Sequence, residues 1–206
     1  MSDPRRVAVL ASGAGTNLQA ILDNVHGRDG IEVVAVASNR ADAPALERAR
    51  SAGIEHAVFE TGPDRDRAAR DAAMAAWLSE REVGLVVLAG YMELLAPAFL
   101  SRFPQAVVNV HPALLPAFPG LHAIEQALAY GVKVFGVTVH LVDEGVDSGP
   151  IVLQRAVELP GAREPAEVLD ALRPLEHELL PEAVRLMARG AVRIDPAAPR
   201  HVAIDI

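Results

Sequence analysis

Cysteine is absent from the 206 residues, which excludes disulfides and thiolate metal sites and suits a reducing compartment. No apolar run approaches the ~18 residues that span a bilayer, although 51% of the chain is hydrophobic. A basic stripe is missing too. The formal net charge of -8 argues against non-specific nucleic-acid binding, while leaving room for a local cationic pocket around one phosphate. Met1 to Arg6 leads straight into a short strand-like run, and charged and glycine-rich residues from Ser12 onward interrupt any signal-peptide architecture. Internal repeats are lacking, and the alanine-rich stretch 68–76 is helix-forming composition rather than low complexity. The expectation is a soluble, cytoplasmic chain that partners neither membrane nor nucleic acid and encloses a substantial core.

What is present first is alternation. Val7-Ala8-Val9-Leu10, Val33-Val34-Ala35-Val36, Leu85-Val86-Val87-Leu88 and Val107-Val108 are almost continuously apolar, as strands covered on both faces are. Helical stretches lie between them at 18–24, 44–51 and 64–79, with Pro44 suited to a first helical turn and Gly53 closing that helix. This order predicts an α/β fold built on an open, mostly parallel twisted sheet with helices on both faces. Farther on, Val137, Val139 and Leu141 alternate with Thr138, His140 and Val142, and residues 151–157 give another strand, so an antiparallel extension is expected. Residues 165–189 read as a long terminal helix with Pro174 and Pro181 as candidate breaks, and 195–199 as a surface tail.

Chemistry gathers at Asn109-Val110-His111-Pro112. Asn109 and His111 are two apart behind an apolar run, so on a strand they share one face, and Pro112 stops the strand with both at its carboxyl end. An amide that donates to an oxyanion, an imidazole that transfers a proton and the distant Asp147 of Asp147-Ser148-Gly149-Pro150 make an acyl-transfer set. The plainer alternatives are a core histidine satisfied by a carbonyl and an Asx-turn at Asp147. For His140, a structural hydrogen bond is the favoured reading. His111, His122 and His140 match no zinc spacing, and no metal is expected. The loop 112–120, stiffened by Pro112, Pro116 and Pro119, walls the site or merely crosses the surface. Ser12-Gly13-Ala14-Gly15-Thr16-Asn17-Leu18 joins first strand to first helix. It suits a phosphate monoester better than a dinucleotide, because Leu18 stands where a third small residue belongs. A capped turn is the alternative there. Tyr91-Met92-Glu93-Leu94-Leu95 lines an apolar slot for a flat ring or packs the core.

Taken together, the segments 12–20, 88–92, 109–116, 119–122, 136–140 and 146–150 resemble the phosphoribosylglycinamide formyltransferases, folate-dependent enzymes of purine biosynthesis. The likeness runs in family order to about Gly190. It implies transfer of the formyl group of 10-formyltetrahydrofolate, acting as co-substrate, to the amine of glycinamide ribonucleotide, with no metal. By the same resemblance Asn109, His111 and Asp147 are the catalytic three. Gly15, Thr16 and Asn17 would hold the phosphate and Glu176 the ribose hydroxyls. Arg67, Met92, Glu93, Leu94, Leu95 and Asn109 would meet the folate. Glu93 departs from the family, whose members often carry arginine there. A single domain 1–206 is expected, with a ribonucleotide half at about 1–105, a folate and catalytic half at about 106–190 and a tail at 191–206, as a monomer or homodimer.

Two relatives share the catalytic pattern. Formyltetrahydrofolate deformylase delivers the formyl group to water and usually carries an amino-terminal regulatory domain, whereas this chain is expected to begin at its first core strand. Methionyl-tRNA formyltransferase generally has a carboxyl-terminal RNA-binding domain, for which no room is expected. A reading from another class is a non-catalytic nucleotide-binding module that uses only the glycine turn.

Overall fold

The computed structural model describes residues 5–60, 62 and 66–205. Seven strands form one sheet in the order β3-β2-β1-β4-β5-β6-β7. They are β1 (Arg5–Leu10), β2 (Ile31–Ser38), β3 (Glu55–Val58), β4 (Leu85–Leu88), β5 (Val107–His111), β6 (Val134–Leu141) and β7 (Ile151–Glu158). The first five pair in parallel, and β6 and β7 add antiparallel. This is the expected open sheet with its antiparallel extension. It runs unbroken from β4 to β5, so the halves 1–105 and 106–190 share one sheet.

Strand periodicity divides the core in two. Val7 and Val9 of β1 face one apolar cluster, whereas Ala8 and Leu10 face the other. Helices α1 (Thr16–Asn24), α2 (Pro44–Ser51), α5 (Ala123–Tyr130) and α6 (Pro165–Ala188) cover the first cluster with Leu18, Ala45, Ile124 and Leu179. Helices α3 (Arg67–Glu80) and α4 (Pro97–Arg102) cover the second with Met74, Leu78 and Phe99. The helix expected over 64–79 begins at Arg67, where the Asp66 carboxylate caps the Ala68 N–H at 2.9 Å; Asp64 and Arg65 lie outside the described residues.

Two differences from the sequence reading have physical causes. Helix α6 continues through Pro174 and Pro181 for 24 residues. Each interior proline removes a hydrogen bond at a cost of ~3 kcal/mol. Val168, Leu172, Leu179, Leu180, Ala183 and Val184 are buried along the helix, and at ~1.5–3 kcal/mol per large side chain they outweigh that cost. The segment expected as a tail forms an antiparallel hairpin, β8 (Val192–Asp195) with β9 (Ala198–Ile204), which touches β7. Its turn is set by Asp195, whose side chain accepts the Ala197 N–H at 2.8 Å. Among the described residues no helix is long and apolar enough to cross a membrane.

Candidate active site

Strand β5 ends between parallel β4 and antiparallel β6, where the strand direction reverses. Asn109 and His111 leave it on one side. Asp147 arrives from the β6–β7 connection with a φ of 47°. Its Oδ2 lies 3.3 Å from His111 Nδ1 and accepts the Gly120 N–H at 2.8 Å, while Oδ1 accepts the Asn109 amide at 3.3 Å. The structure therefore brings together Asn109, His111 and Asp147. The Asx-turn in this connection belongs to Asp143, whose Oδ1 accepts the Gly145 N–H at 3.1 Å and the Ser148 hydroxyl at 2.6 Å. Asp147 is thus left facing the imidazoles.

Partial burial works against a charged Asp147. The hydrogen bond from His140, the Gly120 N–H and the nearby His111 and His140 outweigh it, so the carboxyl sits below the ordinary aspartate range. His111 is buried, with Nε2 2.8 Å from the Phe118 carbonyl oxygen. That oxygen can only accept, so Nε2 carries a proton, and a second proton on Nδ1 would satisfy Asp147 as well.

His140, 2% exposed, is the member of the site that sequence reasoning left as structural. Its Nδ1 donates to the Leu141 carbonyl at 2.9 Å, and Nε2 stands 3.1 Å from the Asn109 amide nitrogen and 3.4 Å from Asp147 Oδ1. One nitrogen cannot accept from Asn109 and donate to Asp147 at once. The proton on His140 and the orientation of the Asn109 amide are therefore linked. His122 does not join this group; its ring pairs with Glu125 at 3.6 Å. The proline loop is a wall. Thr138 of β6 donates to the Ala113 carbonyl at 2.6 Å and accepts the Leu115 N–H at 3.1 Å, and Gln154 of β7 bonds the Leu115 carbonyl at 2.9 Å.

The glycine loop forms a second face. Gly15 precedes α1 with a φ of 71°, and no side chain caps the helix, so its first N–H groups are open to an anion. A Cβ on Gly15 would lie 2.8 Å from Ala45, so only glycine permits this approach. Thr16 is half-buried and Asn17 buried. Asn17 donates to Glu176 of α6 at 2.9 Å, which joins the two residues expected at the phosphate and the ribose. Burial pushes the Glu176 carboxyl above its usual range, against the Asn17 hydrogen bond and Arg173. Arg48 Nε holds the Ala14 carbonyl at 2.8 Å.

The slot residues divide. Met92 and Leu94 are exposed at 64% and 53%, whereas Leu95 packs with Tyr91 and Phe99 in the core. Burial pushes the Tyr91 phenol up to about 12. Arg67 is exposed at the start of α3. Glu93 turns inward, 3.4 Å from Arg70 Nη1.

A model of the formyl transferase family matches residues 5–184. The phosphoribosylglycinamide formyltransferase of Mycobacterium tuberculosis (strain CDC 1551 / Oshkosh) is 42% identical over 193 residues, or 94% of this chain and 89% of that one. Among solved structures, glycinamide ribonucleotide transformylase 1 from Symbiobacterium toebii has a TM-score of 0.93 at 47% identity, over 99% of this chain and 95% of that one. A formyltetrahydrofolate deformylase from Pseudomonas syringae pv. tomato shares the fold, with a TM-score of 0.90 at 24% identity over 100% of this chain and 67% of that one.

Proposed function

Because the chain belongs to the formyl transferase family, we propose that it transfers the formyl group of 10-formyltetrahydrofolate to the amine of 5'-phosphoribosylglycinamide in purine biosynthesis. The observation that carries this reading is the meeting of Asn109, His111 and Asp147 within 3.3 Å contacts at the end of β5, on the same carboxyl edge of the parallel strands as an anion-receptive helix start after β1 and an exposed apolar loop after β4.

The ribonucleotide phosphate binds the N–H groups of Gly15, Thr16 and Asn17, and Glu176 accepts from the ribose hydroxyls. The folate ring lies against Met92 and Leu94, with Arg67 at its acidic tail. Each substrate draws on both halves of the chain, as the Asn17–Glu176 bond prefigures. The substrate amine attacks the formyl carbon, and its lone pair forms the new N–C bond while the carbonyl electrons move to oxygen. Asn109 turns its amide from Asp147 to that oxyanion, and the protonated ring of His111, held between Asp147 and the Phe118 carbonyl, stabilises the same atom. Loss of one such donor typically costs about 2.7–4 kcal/mol. Collapse breaks the bond to the donor nitrogen, which receives the proton lost by the amine, with Asp147 holding the relay in place. Tetrahydrofolate and formylglycinamide ribonucleotide leave.

The deciding experiment measures tetrahydrofolate release with and without glycinamide ribonucleotide. Release that depends on the amine supports transfer. Equal release without it would make the enzyme a hydrolase, and none in either case would leave a nucleotide-binding module.

A further inference from the structure

Residues 91–96 form neither helix nor strand, so their main-chain polar groups need partners from elsewhere. Side chains supply them. Arg70 and Asp71, consecutive on α3, have side chains only 5% and 1% exposed and bond each other through Arg70 Nε at 2.8 Å. Asp71 Oδ2 accepts the Ala96 N–H at 2.6 Å, and Arg70 Nη2 donates to the Leu94 carbonyl at 3.3 Å. Arg70 Nη1 also reaches Glu93 Oε2 at 3.4 Å.

Glu93 continues the chain outward from Arg70. Its Oε1 accepts the Asn39 amide at 3.3 Å, Asn39 Oδ1 accepts the Ser12 hydroxyl at 2.6 Å, and Ser12 Oγ accepts the Met92 N–H at 2.8 Å. This path leaves the loop at Glu93 and returns to it at Met92. It passes through Ser12, the residue that roots the glycine loop and whose own N–H bonds the Gly90 carbonyl at 3.0 Å.

We infer that Arg70 and Glu93 are positioning residues for the formyl donor: with Asn39 and Ser12 they brace the 91–96 loop from inside and fix it against the root of the glycine loop. The donor assignment rests on the function proposed above; the brace does not. Held this way, Met92 and Leu94 present their side chains outward without an ordering cost at the moment of binding. Glu93 thereby has an internal role and makes no demand on the folate tail.

Glu93 is the side chain to change. Its 30% exposure tolerates truncation, whereas removing Arg70 would strand the buried Asp71 carboxylate and unfold the site. Glu93→Ala should raise the KM for 10-formyltetrahydrofolate roughly three- to tenfold, the loss expected for one or two such bonds. The KM for glycinamide ribonucleotide should stay within about twofold and the melting temperature should hardly move. Glu93→Gln keeps an acceptor for Asn39 and should recover most of the loss. Amide exchange at Met92, which needs no folate, should speed up about tenfold in Glu93→Ala and less in Glu93→Gln. Unchanged exchange at Met92 would overturn the brace. Faster exchange with an unchanged donor KM, or equal rises in both KM values, would overturn its role in positioning the donor. A wild-type chain that transfers no formyl group would overturn the proposed function, and the exchange measurement would still decide the brace.

Discussion

The main-chain oxygen of Phe118 meets Nε2 of His111 at 2.8 Å, and Phe118 adopts a left-handed φ of 54°. For a residue with a Cβ this backbone costs about 1–2 kcal/mol. Two residues on, the Gly120 N–H holds Asp147 at 2.8 Å. One short turn thus clamps both the imidazole and the carboxylate, which makes the orientation of His111 a property of the loop as well as of β5.

Asp147→Asn keeps the shape of the side chain and removes its charge. The expected result is a fall in turnover of about 100-fold or more with little change in ribonucleotide affinity, because the charge acts on the transition state. Stability adds a second readout. The Asp147 carboxyl is held below its ordinary value of 3.8, so its contribution is present above about pH 4 and lost as pH falls through the lowered folded value. Melts of wild type and variant should therefore converge below pH 4. Curves that stay equally far apart from pH 7 to 3 would contradict the pairing.

Asn109 and His111 were legible because a period of two places both on one strand face and Pro112 ends the strand. Asp147 was legible only with its neighbours. The part played by His140 was not, since it depends on β6 pairing antiparallel with β5 in the register that sets His140 opposite Asn109. The division of the 91–96 loop was hidden for a similar reason: Leu94 and Leu95 are alike in sequence, and only packing against Phe99 sends one inward. The parallel strands declared themselves by buried β-branched runs. The half-exposed β3 and the proline-interrupted β8–β9 hairpin carry no such pattern.

That division can be tested with adjacent substitutions. Leu94→Asp should fold normally and weaken folate binding, because a charge would enter the surface proposed to carry the ring. Leu95→Asp should lose several kcal/mol of stability, about the cost of an unpaired charge in a core. Thermal melts beside folate titrations separate the two. A Leu94→Asp variant that binds folate as well as wild type would place the ring elsewhere.

Gly149 is fixed by space. A Cβ there would lie 1.8 Å from the Leu141 carbonyl oxygen, so Gly149→Ala must open the turn that delivers Asp147 two residues earlier. Turnover should drop at least as far as in Asp147→Asn, and the melting temperature should fall as well. Full activity in Gly149→Ala would mean that the turn has slack, and that Asp147 does not need this placement.

Glu176 supplies the sharpest separation of stability from function. Burial raises its folded pKa above the ordinary 4.5, against the Asn17 hydrogen bond and Arg173. A carboxyl raised in this way contributes stability that is complete below about pH 4.5 and disappears as pH rises through the folded value. Above the folded value the wild-type chain lacks that contribution. Glu176→Gln is neutral at every pH and keeps an oxygen to accept from Asn17, so it should show no advantage near pH 4 and melt progressively higher than wild type as pH rises through the folded value of Glu176. Binding should move the other way. A charged acceptor for ribose hydroxyls is worth about 1.5–3 kcal/mol, so calorimetry should give an affinity for glycinamide ribonucleotide weaker by about tenfold or more, with donor binding unchanged. A residue that served packing alone would gain stability without losing affinity, and that outcome would remove Glu176 from the substrate site.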